Sequence, residues 1–238
     1  MNPPPNPAPA RPTQTRQRSA GAKQDQAGEP AAQSSALFDL RRLTASVLFD
    51  ASPQARAYSG TLGLTYAATD HYQVGLLLPV AYFGGFANPL MVNNVTLRNT
   101  FVQTLGDNRS FFGVTADAVF GGNALFRHPN TFLTISPFLG LGLPNRFDLF
   151  ASVSWGASIA ATATLTRELT DEWSVGLEYS RTAGVAGQLL PVRDQPQTVF
   201  GVAELNRDGR RFTFGFGANI ANGGASPAVR FGVMQSFQ

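Results

Sequence analysis

From Leu43 onward the dominant pattern is segments in which large apolar residues alternate with small or polar ones. That is the two-residue period of a β-strand, not the 3.6-residue period of a helix. In the segment 58–66 one face carries Tyr58, Leu62, Leu64 and Tyr66, and the other carries Ser59, Thr61, Gly63 and Thr65. After Thr69-Asp70 the pattern resumes with Val74, Leu76, Leu78 and Val80 between Tyr72 and Tyr82. Val95, Leu97 and Phe101 alternate with Thr96, Arg98 and Thr100, and Val114, Ala116 and Ala118 alternate with Thr115 and Asp117. The longest run goes from Leu149 through Val153, Trp155, Ala157 and Ile159 to Leu165. Shorter ones follow at Trp173, Val175, Leu177 and Tyr179, and at Phe212, Phe214 and Phe216.

A soluble β-sandwich alternates too, but its solvated face carries Lys and Glu. Here the small face is Ser, Thr and Gly, while the large face is aliphatic with aromatics at the strand ends. Tyr66, Tyr72, Phe112, Trp173 and Phe212 flank short turns, and Tyr82, Phe120 and Tyr179 flank longer loops. Two aromatic belts around an aliphatic band are what a membrane β-barrel presents to lipid and its interfaces. Tight turns are expected at Thr69-Asp70, Gly106–Arg109, Thr170-Asp171 and Asp208-Gly209. Longer loops are expected around 84–94, 121–131, 183–197 and 221–227. Short turns at one end and longer loops at the other fit a bacterial outer-membrane barrel, all-β, antiparallel and up-and-down.

Strands near 43–50, 58–67, 72–82, 95–105, 110–120, 149–168, 172–182, 198–206, 211–220 and 228–237 make ten. Phe132–Leu143 also reads as a strand, and adding it alone would leave an odd number. Either 121–147 is a long external excursion or it hides a hairpin. Long structureless loops are uncommon, so the expected count is about twelve, with ten as the alternative.

Composition adds to this. Charged residues are 14% of the 238, Phe numbers 19 and Gly 24. No run of about eighteen apolar residues exists to form a transmembrane helix. The first 35 residues, with Pro3, Pro4, Pro5, Pro7, Pro9 and Pro12, carry almost nothing apolar larger than Ala to offset ordering and are expected to be a disordered periplasmic tail before a barrel over 36–238. Neither the basic region nor the apolar stretch of an export signal is present, so export predicts a leader already removed or lying upstream of Met1. The net charge of +3 comes from scattered arginines without a basic stripe, which argues against nucleic acid as a partner. The absence of cysteine excludes a disulfide framework and a thiol nucleophile.

At the C-terminus Val229, Phe231, Val233 and Phe237 alternate up to the penultimate residue. This resembles the signal by which outer-membrane proteins are recognised for insertion, and it implies the barrel-assembly machinery as a partner through Phe231, Val233 and Phe237. A second resemblance rests on Leu64-Thr65-Tyr66-Ala67-Ala68-Thr69-Asp70-His71-Tyr72-Gln73-Val74-Gly75-Leu76-Leu77-Leu78-Pro79. Its first half is echoed at Leu169–Gly176, and Leu139–Pro144 resembles its strand-to-loop step. The unit is similar to one in outer-membrane transporters related to the phenol meta-degradation pathway protein. That resemblance implies a barrel of about twelve strands passing small, often apolar, molecules; it supplies no catalytic residue.

The face opposite the lipid carries few charges: Arg98, Asp117, Glu178, Glu204 and Arg230. Arg98 and Asp117 are equidistant from the Gly106–Arg109 turn, which places them opposite each other. They form either a brace across the wall or a constriction that selects solutes by charge; Glu178 and Arg230 carry the same ambiguity. A hydrolase would need Ser with a His base, and His71 and His128 sit in a turn and a loop without such a setting. Neither has metal-ligand spacing, so no cofactor or metal is expected. Two functions remain: a passive channel for small molecules, or a structural or adhesive barrel with a closed lumen and partner-binding loops.

Overall fold

The computed structural model describes residues 43–53, 56–84, 90–92, 95–106, 109–120, 131–156, 158–185, 188–221 and 223–237. The expected tail, His128 and the Gly121-Gly122 stretch lie outside them. Fourteen strands run β1 Leu43–Ser52, β2 Ala57–Thr69, β3 Tyr72–Phe83, β4 Leu90–Val92, β5 Val95–Leu105, β6 Ser110–Phe120 and β7 Thr131–Leu143. They continue with β8 Phe147–Ser154, β9 Ser158–Glu168, β10 Trp173–Val185, β11 Gln188–Leu189, β12 Gln197–Arg207, β13 Arg210–Ala221 and β14 Gly224–Phe237. Each long strand pairs antiparallel with its sequence neighbours, β14 pairs with β1, and the β9–β10 pairing completes a closed barrel of twelve. The short β4 and β11 attach only to β3 and β10, outside the ring. Closure removes the unpaired edges that an open sheet would present to lipid.

The count of twelve arises differently from the expectation. Phe132–Leu143 is a strand within β7, and the segment 149–168 is not one strand but two, β8 and β9, joined at Trp155–Ala157. Opposed residues such as Leu149 and Leu165, or Ala151 and Ala163, share odd numbering, so the outward set keeps its parity through the turn. The alternation therefore passes through the hairpin without a break. Length was the available signal: twenty residues of strand extend roughly 65 Å, about twice what a bilayer requires. Trp155 thus stands at the rim and not in the middle of an aliphatic band.

The end carrying the chain reversals at 70–71, 106–109, 144–146, 169–172 and 208–209 has only short connections. At Asp208 and Gly209 φ is 53° and 71°, the two left-handed residues of a type I′ hairpin. The opposite end is mixed. Long connections follow β3, β6 and β10, but those after β1, β8 and β13 are tight. Residues 221–227, expected to form a longer loop, are instead a hairpin in which Ala221 pairs with Gly224, and Pro227 lies inside β14 opposite Ala218. Asn222-Gly223 was the overlooked signal, since Asn-Gly favours a two-residue turn; φ of Gly223 is 75°. Leu78-Pro79 lies inside β3, as the strand expected over 72–82 requires; the partner there changes from β5 to β4, and Pro79 sits at that break. A residue with no N–H to donate is accommodated where the ladder is interrupted.

The outer face is the apolar one. Leu62, Leu76, Ile135, Leu177, Phe214 and Phe216 all point outward and are exposed. Inside the barrel, buried apolar side chains form two clusters: Val102, Phe111, Phe138 and Phe150 on β5–β8, and Phe200, Val202 and Ala228 on β12 and β14.

Candidate functional site, the barrel lumen

The inward positions of twelve strands surround a narrow space. The Phe cluster of β5–β8 occupies one wall. Phe111 and Phe138 meet edge to face at 6.2 Å between ring centres, and Phe138 and Phe150 are 5.8 Å apart. Glycines receive these rings. A Cβ on Gly140 would collide with the Phe111 ring, and one on Gly113 would collide with Phe138. Phe111 and Phe138 thus take the space that a side chain at Gly140 or Gly113 would fill. The polar-face alternation of Ser, Thr and Gly did not anticipate these inward phenylalanines; the signal was an inward Gly beside an inward Phe on the neighbouring strand.

The opposite wall is charged. Arg230 on β14 donates from Nε to Asp50 Oδ1 on β1 and from Nη1 to Glu178 Oε1 on β10, each at 2.7 Å. Its guanidinium lies 4.4 Å from the centre of the Phe200 ring on β12, a cation–π contact. To reach β10 the side chain crosses β13 at Gly215, where an added Cβ would press on both Arg230 and Phe200. One arginine therefore ties together β1, β14, β12 and β10. Sequence reasoning placed Glu178 and Arg230 on the inner face but gave neither a partner, because they sit on non-adjacent strands. Asp50 was not singled out.

Arg98 and Asp117 are opposed across β5 and β6 as their spacing predicted. Arg98 Nε and Nη2 donate to Asp117 Oδ1 and Oδ2 at 2.9 and 2.8 Å, a bidentate pair. Glu204 is buried and accepts from Ser174 Oγ at 3.4 Å. Arg211 on β13 lines the same space and donates from Nε to Asn206 Oδ1 at 2.8 Å. Nearer the short-turn end a third pair, missed in the sequence, joins Arg109 to Asp148 at 2.8 Å.

Two cavities occupy the lumen among the described residues. The larger, about 470 Å³, is lined by Arg98, Glu178, Glu204, Arg211, Phe138 and Phe150 with many Ser and Thr hydroxyls. The smaller, about 250 Å³, lies against Asp50, Tyr58, Ser180, Thr198, Phe200 and Asn219. Arg230 and no other residue lines both. It stands where they meet.

The aromatics expected at the membrane interfaces are on the outer face. Tyr66, Tyr72, Phe112, Trp173 and Phe212 are near the short-turn end, and Tyr82, Phe120 and Tyr179 near the other. Tyr72 donates its hydroxyl to Asn99 at 2.6 Å and Tyr179 to Gln197 at 3.2 Å, so at each end a phenol finds a polar partner on the outer surface. His71 Nδ1 lies 3.1 Å from the Val102 carbonyl oxygen, to which it donates, and its ring stands beside Phe101. It is a turn residue held by packing. Among the described residues no group of His, Cys, Asp and Glu could hold a metal ion.

No family model matches the sequence, and no curated protein matches it. Solved structures do match. An outer membrane channel from Pseudomonas putida F1 is 14% identical, with a TM-score of 0.62 over 83% of this chain and 96% of that one. The NanC porin is 9% identical, with a TM-score of 0.60 over 82% of this chain and 99% of that one. The KdgM porin in complex with disordered oligogalacturonate is 10% identical, with a TM-score of 0.57 over 83% and 99%. At such identities the likeness shows the fold: this chain has the barrel architecture of outer-membrane channels and porins.

Proposed function

We propose that the chain is a passive channel for small molecules in a bacterial outer membrane. The observation that carries the reading is a closed barrel with an apolar outer face around two inner cavities, each lined in part by Arg230. The outer aromatics act as the interface belts, and the short-turn end faces the periplasm together with the N-terminal tail. Phe231, Val233 and Phe237, all on the outer face of β14, serve as the recognition strand for barrel assembly. Membership of the transporter group related to the phenol meta-degradation pathway protein belongs to the same proposal, supported by the barrel likeness. The Phe111–Phe138–Phe150 wall offers the contacts that apolar parts of a solute require. Arg230, Glu178 and Glu204, with the Arg98–Asp117 pair, set the selectivity of the narrow zone.

Planar-bilayer recording on the full chain tests this. Discrete current steps in molar KCl are expected. No conductance and no solute flux would overturn the channel and favour a closed structural barrel, since the Arg230 bridge already narrows the lumen. Solubility without detergent would overturn the membrane reading itself.

A further inference from the structure

Resting on the channel reading, we infer that the lumen selects for small cations over anions. The balance of inward charges among the described residues carries this. Two pairs are neutral. Arg98 meets Asp117 in a bidentate contact, and Arg211 on β13 lies near Glu204 on β12, both of them lining the larger cavity. Arg98 is the more exposed member of its pair, at 40% against 12%, but a carboxylate 2.8 Å away cancels most of its charge at the distances a solute keeps.

Two other arginines each stand between two carboxylates. Arg230 bonds to Asp50 and to Glu178, each at 2.7 Å. Arg109 bonds to Asp148 at 2.8 Å, and Glu168 lies in the field of both. Glu168 continues the inward series of Thr164 and Thr166 on β9, opposite Ser174. The Arg146–Asp171 pair beside it is neutral and exposed. One guanidinium against two carboxylates leaves each triad with one net negative charge.

The triads lie at different depths, the Arg109 group nearer the short-turn end and the Arg230 group between the cavities. Glu178 lines the larger cavity and Asp50 the smaller, so an ion in either meets a carboxylate as well as Arg230. A narrow lumen walled by protein and lipid confines field lines, and an excess of one sign there concentrates the opposite ion. A cation offsets its lost hydration against that excess; an anion loses hydration and is repelled.

The test is the reversal potential of the full chain in planar bilayers across a KCl gradient, read as the permeability ratio of potassium to chloride. At about pH 8, where free carboxylates are ionised, the expected ratio is about five. D50N and E168Q each remove one negative charge from a different triad and should each lower the ratio about twofold. E168Q leaves the Arg109–Asp148 pair in place and supplies the measurement if D50N does not fold. R98Q, which uncovers Asp117, should raise the ratio, a direction that general damage to the barrel would not produce. Current steps with a ratio below about two, or a ratio that D50N and E168Q leave unchanged, would overturn the cation selectivity and keep the channel. Absence of any conductance would overturn both.

Discussion

The two walls of the lumen reach the same end by different physics. On β5–β8 Phe111 and Phe138 are seated against Gly140 and Gly113, Val102 and Phe150 cluster with them, and the wall holds through close packing. On β10–β14 and β1 the wall is drawn together by one arginine that pairs with its neighbour β1 and, across β13 and β12, with the non-adjacent β10. Packing of the first kind is intolerant of added volume but indifferent to charge. The second tolerates volume and depends on a pairing that leaves two carboxylates stranded if the cation is lost. A barrel that must keep an open interior can use both, because neither fills the centre.

The comparison breaks first at Gly140. Gly140→Val would drive Phe111 from its seat and is expected to cost about 3 kcal/mol, seen in urea unfolding in phospholipid vesicles by tryptophan fluorescence. Arg230→Met is next. Leaving Asp50 and Glu178 unpaired should cost about 2 kcal/mol, below the range for a dry interior because the lumen holds water. Single-channel conductance should rise as the two cavities merge, and adding D50N and E178Q should recover most of the stability. The smallest effect belongs to Arg98→Gln. Its partner pair is well formed but the Arg98 side chain is 40% exposed, so the loss should stay below about 1 kcal/mol in the same unfolding assay. A cost equal to that of Arg230→Met would mean that the two ion pairs play the same part.

The outer face was legible in the sequence because lipid demands a large apolar residue at every second position of each strand. Val229, Phe231 and Val233 could be assigned outward from the pattern alone. The inner face follows a looser rule. Ser, Thr, Gly, Phe and Arg all occur there, so Phe111, Phe138, Phe150 and Phe200 could not be told apart from lipid-facing rings without the register. Arg98 and Asp117 were paired in advance because one short hairpin fixes their distance. Arg230, Asp50 and Glu178 were not, because their meeting depends on closure of the ring between β14 and β1 and on a reach across β12 and β13. The division of 149–168 escaped for a related reason, as a turn that conserves parity leaves no mark in the alternation.

The central claim is that β13 has lipid on one side and an aqueous lumen on the other. The chain contains no cysteine, so single cysteines can be placed in an otherwise unreactive background. Thr213 and Phe214 are adjacent and point inward and outward. In reconstituted vesicles a membrane-impermeant, positively charged thiol reagent should modify T213C and leave F214C unmodified until detergent is added. Modification of F214C with protection of T213C would contradict the account.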